Sequence, residues 1–312
     1  MINPQIEEFL AVWDQKWEGL RPNATPDDRR RWFELIAHQM RLPTPENLDT
    51  QQEYWIDTDG GPVRMRVFRY DDDKVQPCLI YMHGGAWMQG SPETHWDITS
   101  RIAAWNKQTV ISIDYAKAPE RPFPTAIDQV NGAARWIHSN ADMLKIDPSR
   151  ISVGGDSAGG NLAAALTLDL RGSEVKFIGQ LLIYPACDFD QSRPSYTENY
   201  NGPLIQVAGM DRVNAMYCPN IEDLSKNYRA APLVADSHEG LPPAYIGVAQ
   251  YDPLRDSGVA YADALRAAGV TVELEMGEGL VHGYMRGMEY CEASRQSLQQ
   301  MAAWLDKINQ EA

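Results

Sequence analysis

The sequence predicts an α/β protein: one mostly parallel sheet of eight strands flanked by helices. Three observations carry that expectation. After an opening hairpin, short apolar runs of strand length alternate with longer runs of helical periodicity, the pattern of a parallel sheet covered on both faces. The chain has 312 residues, 44% hydrophobic and 23% charged, enough to bury a large core in a single domain spanning 1–312. One segment, Val153 to Leu170, reads as strand, sharp turn and helix in direct succession.

Taken in order, the first ~50 residues read as two helices. Ile6, Phe9, Leu10, Trp13 and Trp17 fall at helical spacing, and Gly19 and Pro22 end the run. Thr25-Pro26-Asp27-Asp28 supplies a cap, a proline at the first position and acids in the first turn. Trp32, Phe33, Leu35, Ile36 and Met40 then form an apolar face, broken by Pro43 and Pro45. Tyr54–Thr58 and Val63–Tyr70 flank Asp59-Gly60-Gly61-Pro62, a hairpin signal. Leu79–Met82 and Val110–Asp114 read as buried strands around a helix near Trp96–Lys107. Helix is expected over Ala126–Ser139, strand over Ile151–Val153, helix over Leu162–Arg171 and strand over Phe177–Tyr184. Residues 187–232 are irregular and rich in Pro, Asn, Tyr and Met. Strands at Ala244–Ala249 and Val270–Met276 bracket a helix at Ser257–Ala268, and a last helix runs from about Met288 to Ile308.

Composition excludes several classes of function. A net charge of −15 disfavours nucleic acid or an anionic membrane as partner. No apolar stretch approaches the ~20 residues of a membrane span. The acidic N-terminus lacks the basic start and apolar run of a secretory signal, so a cytoplasmic protein is expected. Cys78, Cys187, Cys218 and Cys291 are scattered and match no zinc or redox spacing. They read as reduced, buried thiols.

The chemistry centres on Gly155-Asp156-Ser157-Ala158-Gly159, a G-x-S-x-G between the strand and the helix. Small residues let the backbone take a strained turn that lifts the Ser157 hydroxyl clear of the sheet. A serine hydroxyl needs a base. Of six histidines, His38 and His138 lie in helical patterns, and His95 and His238 sit in polar loop or helix-start contexts. His282, after the strand Val270–Met276 and a short Gly-rich loop, is the candidate base. The base needs a buried carboxylate, and Asp252 stands at the end of a strand, whereas Asp256 is nearer the next helix start. The order Ser, Asp, His is that of an α/β-hydrolase. Donors for a developing oxyanion are expected from Gly84, Gly85 and Ala86 in "HGGAW" and from the amide of Ala158.

Those motifs, "HGGAW", "DYAKAPERPFPTAIDQV", "GGDSAGGNLAAAL", "YDPLRDSG" and "HGY", run from about residue 79 to 284. In them the chain resembles the bacterial hormone-sensitive-lipase-like carboxylesterases of the α/β-hydrolase fold. The resemblance implies Ser157 as nucleophile, Asp252 as acid and His282 as base. It implies Gly85, Ala86 and Ala158 as oxyanion donors with Gly84 in the same turn, and His83 as a support of that loop. It also implies a mostly helical cap from about 1–48 and 187–232, and no metal or cofactor. Three positions depart from the family pattern: Ala86 replaces a common glycine, "YAKAPE" stands for "YRLAPE", and Ser257 replaces a frequent acid.

The expected activity is hydrolysis of short-chain esters, about C2 to C6, including esters of tertiary alcohols, with a small-molecule ester as the partner. The same triad also serves a lactonase, an amidase or a natural-product deacetylase. A non-catalytic binding relative conflicts with an intact Ser157, Asp252 and His282. The oligomeric state stays open, with a homodimer among the readings.

Overall fold

The computed structural model of the chain describes residues 1–312. Its strands are β1 (Leu48–Asp49), β2 (Glu53–Ile56), β3 (Val63–Tyr70), β4 (Gln76–Met82), β5 (Thr109–Asp114), β6 (Ile146–Asp156), β7 (Phe177–Ile183), β8 (Ala244–Tyr251) and β9 (Val272–Val281). They form one sheet in the order β1-β3-β5-β4-β6-β7-β8-β9, with β2 also paired to β3. The run from β5 to β9 is parallel, and the β1, β2 and β3 pairings are antiparallel. The expected hairpin is the β2–β3 pair, with Ile56 opposite Val63 and Gly61 at φ +86° in the turn.

Three expectations are corrected. A ninth strand, β1, pairs Leu48 and Asp49 with Tyr70 and Arg69; two residues are too few for an alternation to register. β6 starts at Ile146 rather than Ile151, because the polar run Asp147–Arg150 continues the extended chain until Ile146 meets Gln76. β9 runs on to Val281, so the glycines before His282 belong to a strand. The pairing with β8 shifts register between Ala249 and Tyr251, and Gly279 lies there at φ +74°, a bulge conformation that glycine adopts without strain.

The helices are α1 (Pro4–Trp17), α2 (Pro26–Gln39), α3 (Trp96–Trp105), α4 (Thr125–Ser139), α5 (Ala141–Leu144), α6 (Ala158–Asp169), α7 (Pro194–Glu198), α8 (Met210–Tyr217), α9 (Asp223–Lys226), α10 (Arg255–Ala267) and α11 (Glu292–Glu311). Side-chain alternation on β4 sorts the layers. Ile80 and Met82 join the core under α4, α6 and α10. Leu79 and Tyr81 join the core under α3 and α11. α6 is buried all round from Ala158 to Leu168, which its near-absence of polar residues foretells. α1 and α2 add a small cluster of Phe9, Trp13, Phe33 and Ile36. α2 starts on the expected cap: Thr25 Oγ1 accepts from the Asp28 amide at 3.1 Å, and Asp28 accepts from the Thr25 amide at 3.0 Å, worth about 1 kcal/mol. Within 187–232, α7, α8 and α9 are short helices separated by loop. No helix is long and apolar enough to cross a membrane.

Candidate active site

Ser157 sits between the end of β6 and the start of α6 at φ 55°, ψ −118°. That conformation costs a non-glycine residue on the order of 1–3 kcal/mol. Packing holds it there. The Ser157 amide donates to the Ile183 carbonyl at 2.8 Å. A Cβ at Gly155 or Gly159 would stand 2.4 or 2.0 Å from the Met82 carbonyl oxygen, so the turn is pressed against β4 where only glycine fits.

His282 follows β9 directly, and Asp252 follows β8. The adjacent parallel strands bring His282 to Ser157 across 125 residues of sequence and to Asp252 across 30. Ser157 Oγ lies 2.9 Å from His282 Nε2, and His282 Nδ1 lies 2.7 Å from Asp252 Oδ2. Asp252 is fully buried, and its other oxygen accepts the Leu254 amide at 2.8 Å. Asp256 takes no part in this line. It accepts from the Ser195 amide and from Arg255 Nε, each at 2.8 Å, and so tethers α7 to the body. Ser257, at the position where the family favours an acid, accepts the Cys187 and Asp188 amides at 3.0 Å each. It therefore fixes the start of the irregular segment.

The loop after β4 holds Gly84, Gly85 and Ala86. The Gly84 amide donates to Asp156 Oδ1 at 2.8 Å. It is therefore not free to receive a substrate oxygen, which corrects its expected place among the donors. The Gly85 and Ala86 amides donate to nothing within the protein. Ala158 is the first residue of α6, where an amide has no intrahelical acceptor. Three of the loop carbonyls are occupied: Gly84 by His83 Nδ1, Gly85 by the Met88 and Gln89 amides, and Trp87 by the Ala118 amide. Ala86 reaches this arrangement at φ 54°, although it is not glycine.

Sequence reasoning missed three of the groups that brace this loop: Asp156, His95 and Arg286. Asp156 is buried and accepts from both Tyr81 and Gly84 at 2.8 Å. Burial pushes its carboxyl up, but His95, Arg286 and the Tyr81 hydroxyl outweigh that and hold it below the usual carboxylate range. Burial lowers the titration of His95, although the neighbouring Asp156 carboxylate opposes that, and Arg286 donates to His95 Nε2 at 2.8 Å. His83 is held far below the usual histidine range by burial. It stacks on Tyr115 at 4.3 Å, which fits its assignment as loop support. The signal for Asp156 was its place inside the motif. Arg286 offered none, since it comes from a 3-10 turn after His282.

Two cavities meet at Ser157. One, of about 360 Å³, is lined by Trp13, Trp17, Phe33 and His282. The other, of about 590 Å³, is lined by Tyr196, Met210 and Met216 among others. Trp32 instead binds the Lys16 carbonyl, Tyr217 stacks on Trp87 at 4.0 Å, and Tyr200 is exposed. No three His, Cys, Asp or Glu side chains converge in a way that holds a metal ion. All four cysteines are free and buried.

A hydroxyl, an imidazole and a carboxylate in line at the carboxyl ends of a parallel sheet, in the chain order Ser, Asp, His, define an α/β-hydrolase. The sequence profile of the α/β-hydrolase fold family matches residues 79–286. Within it, this chain belongs to the hormone-sensitive-lipase-like carboxylesterases, which places it among carboxylic ester hydrolases. It is 43% identical to a carboxylesterase of Mycobacterium tuberculosis over 215 residues, 67% of this chain and 66% of that one. The chain thus spans about two thirds of that relative's length. It is 38% identical to an arylesterase of Saccharolobus solfataricus over 288 residues, 91% and 92% of the two chains. The solved structure of a hyperthermophilic esterase from the archaeon Pyrobaculum calidifontis is similar with a TM-score of 0.88 and 33% identity, covering 98% of each chain.

Proposed function

We propose that this protein is a serine carboxylesterase for short-chain esters that works through an acyl-enzyme. Ser157 is the nucleophile, His282 the base and Asp252 its buried partner. The observation that carries the reading is the unbroken line from Ser157 Oγ through His282 to Asp252, at 2.9 and 2.7 Å. His282 takes the Ser157 proton as Oγ attacks the ester carbonyl, then gives it to the departing alcohol oxygen. Asp252 holds the proton on Nδ1 and stabilises the imidazolium. The free amides of Gly85, Ala86 and Ala158 receive the oxyanion. Water, deprotonated by His282, then releases the acid and restores Ser157.

Residues 1–48 and 187–232 form the cap over this site. In support, both segments contribute walls to the cavities that meet at Ser157. Those volumes suit small esters, and large rings and methionines line them, in keeping with acyl chains of about C2 to C6. Because the carbonyls of Gly84, Gly85 and Trp87 are engaged by other groups of the protein, the alcohol side is open to crowded groups, tertiary alcohols included.

A panel of p-nitrophenyl esters from C2 to C16, with tert-butyl acetate alongside, tests the reading. Butyrate should be hydrolysed faster than dodecanoate or hexadecanoate, tert-butyl acetate slowly, and all of them by wild type but not by Ser157→Ala. Faster turnover of the long chains overturns the acyl preference, and full activity of Ser157→Ala overturns the mechanism.

A further inference from the structure

The two cavities at Ser157 differ in character, and the proposed mechanism assigns them. The alcohol oxygen must receive its proton from His282 Nε2. The alcohol half of the ester therefore lies in the 360 Å³ cavity that His282 lines, and the acyl half in the other. The alcohol cavity combines aromatic walls with two guanidinium groups: Arg286, which lines this cavity alone, and Arg29, which stands where the two cavities meet and lines both. The Arg29 guanidinium lies 4.6 Å over the Trp17 ring. Its Nε donates to Gln89 Oε1 at 2.8 Å, so the side chain is tied to the Gly85–Gln89 turn. Neither of its Nη groups makes a hydrogen bond, and no carboxylate lies within salt-bridge distance. Arg286 lies 4.5 Å over Phe33. It donates to Thr94 O and His95 Nε2 and likewise has no ion-pair partner.

Neither acid at this cavity pairs with Arg29. Asp156 is engaged by Tyr81 and Gly84 and faces Arg286 through His95, and Asp14 is exposed at the rim and forms no ion pair. Eleven of the twenty arginines of this strongly acidic chain pair with acids, Arg64 and Arg66 sharing Glu53 and Glu93. Arg29 is set apart by its place: a guanidinium with no ion-pair partner at the wall of the cavity that holds the nucleophile. A guanidinium with both Nη groups free matches a carboxylate, which it binds through paired, charge-assisted hydrogen bonds. Rings at the same cavity wall suit an aromatic body between that carboxylate and the ester oxygen.

Resting on the esterase reading, we infer that the alcohol cavity is a subsite for a carboxylate, with Arg29 as the specificity-determining residue. The substrate class is aryl esters whose leaving phenol bears a carboxylate group.

The test compares 4-acetoxybenzoate with 4-acetoxybenzamide, which share the acyl group and differ in charge on the leaving group. The readout is the ratio of kcat/KM for the two, in wild type, Arg29→Gln and Arg29→Lys. Any general effect of substitution on turnover divides out of that ratio. The ratio should fall at least tenfold in Arg29→Gln and recover in part in Arg29→Lys. Added salt should lower it in wild type. A ratio that changes less than threefold in Arg29→Gln overturns the subsite. Monomethyl glutarate carries its charge on the acyl half. An equal Arg29 dependence for that ester overturns the assignment of the carboxylate to the alcohol side. If wild type hydrolyses neither acetoxy ester, or Ser157→Ala hydrolyses both, the esterase reading itself fails and the subsite falls with it. Turnover of the benzamide ester alone overturns the subsite while leaving the esterase reading intact.

Discussion

Replacing Asp252 by Asn should nearly abolish activity while leaving the fold in place, and the geometry says why. Asp252 Oδ1 accepts the Leu254 amide at 2.8 Å, and Oδ2 faces His282 Nδ1 at 2.7 Å. An Asn keeps its carbonyl oxygen on the Leu254 amide and turns its NH2 toward Nδ1. That donor forces the imidazole proton onto Nε2, the atom 2.9 Å from Ser157 Oγ. A protonated Nε2 cannot take the serine proton, and a neutral amide cannot stabilise the imidazolium. The equivalent change in another triad enzyme costs about 10⁴ in kcat, or roughly 5.5 kcal/mol of barrier. The control is Asp256→Asn. Its carboxylate binds Ser195 and Arg255 rather than His282. It should cost no more than about 1 kcal/mol of stability and leave kcat within a few-fold of wild type. Steady-state kinetics on p-nitrophenyl acetate, with a thermal melt on each variant, separate the two. An Asp252→Asn enzyme with more than a tenth of wild-type kcat refutes the assignment, as does a larger loss in Asp256→Asn.

Three further outcomes follow from the same geometry. Gly84→Ala puts a Cβ 2.4 Å from Asp156 Oδ2 and 2.9 Å from its carbonyl oxygen. The loop must shift and carry the Gly85 and Ala86 amides with it, so kcat should fall about 10²–10³-fold; an unchanged kcat contradicts their role as donors. Glu93 is pushed up by burial, but the Arg64 hydrogen bond and charge, with Arg66, hold it at about 2 against an ordinary 4.5. A lowered carboxylate stabilises the fold above about pH 4.5 and loses that contribution as the pH falls toward 2, so Glu93→Gln should cost up to roughly 3 kcal/mol at pH 7. Urea unfolding should show that gap narrowing by pH 3.5, and a gap independent of pH contradicts it. Burial raises the Cys78 and Cys187 thiols and moves Cys218 to about 11. A chromogenic disulfide should therefore label almost no thiol in the native protein at pH 8 and four after denaturation; rapid native labelling contradicts the burial.

Features set by a few adjacent residues were legible in the sequence. Thr25 with Asp28 announced the start of α2, and Asp59–Pro62 announced the β2–β3 turn. The small residues around Ser157 marked a turn that only glycines can pack against β4. Strand ends were less legible. Asp147–Arg150 are polar and contain a proline, so nothing in their pattern distinguishes the start of β6 from a loop. Gly277 and Gly279 read as loop residues, yet a bulge keeps them in β9. Hydrogen bonds between distant segments were not legible. The Gly84 amide looked like its neighbours until Asp156, 72 residues away, was found to hold it. Nothing in the sequence marks Arg29, because its place at the Ser157 cavity with both Nη groups free is a property of the folded surroundings.

The most direct test of the account is covalent. The enzyme is mixed with p-nitrophenyl butyrate, quenched in acid within milliseconds and measured by intact-protein mass spectrometry, followed by peptide mapping. The account predicts one butyryl adduct per chain, carried on the peptide containing Ser157 and absent from Ser157→Ala. Full turnover with no adduct at any quench time, or an adduct on another residue, contradicts it.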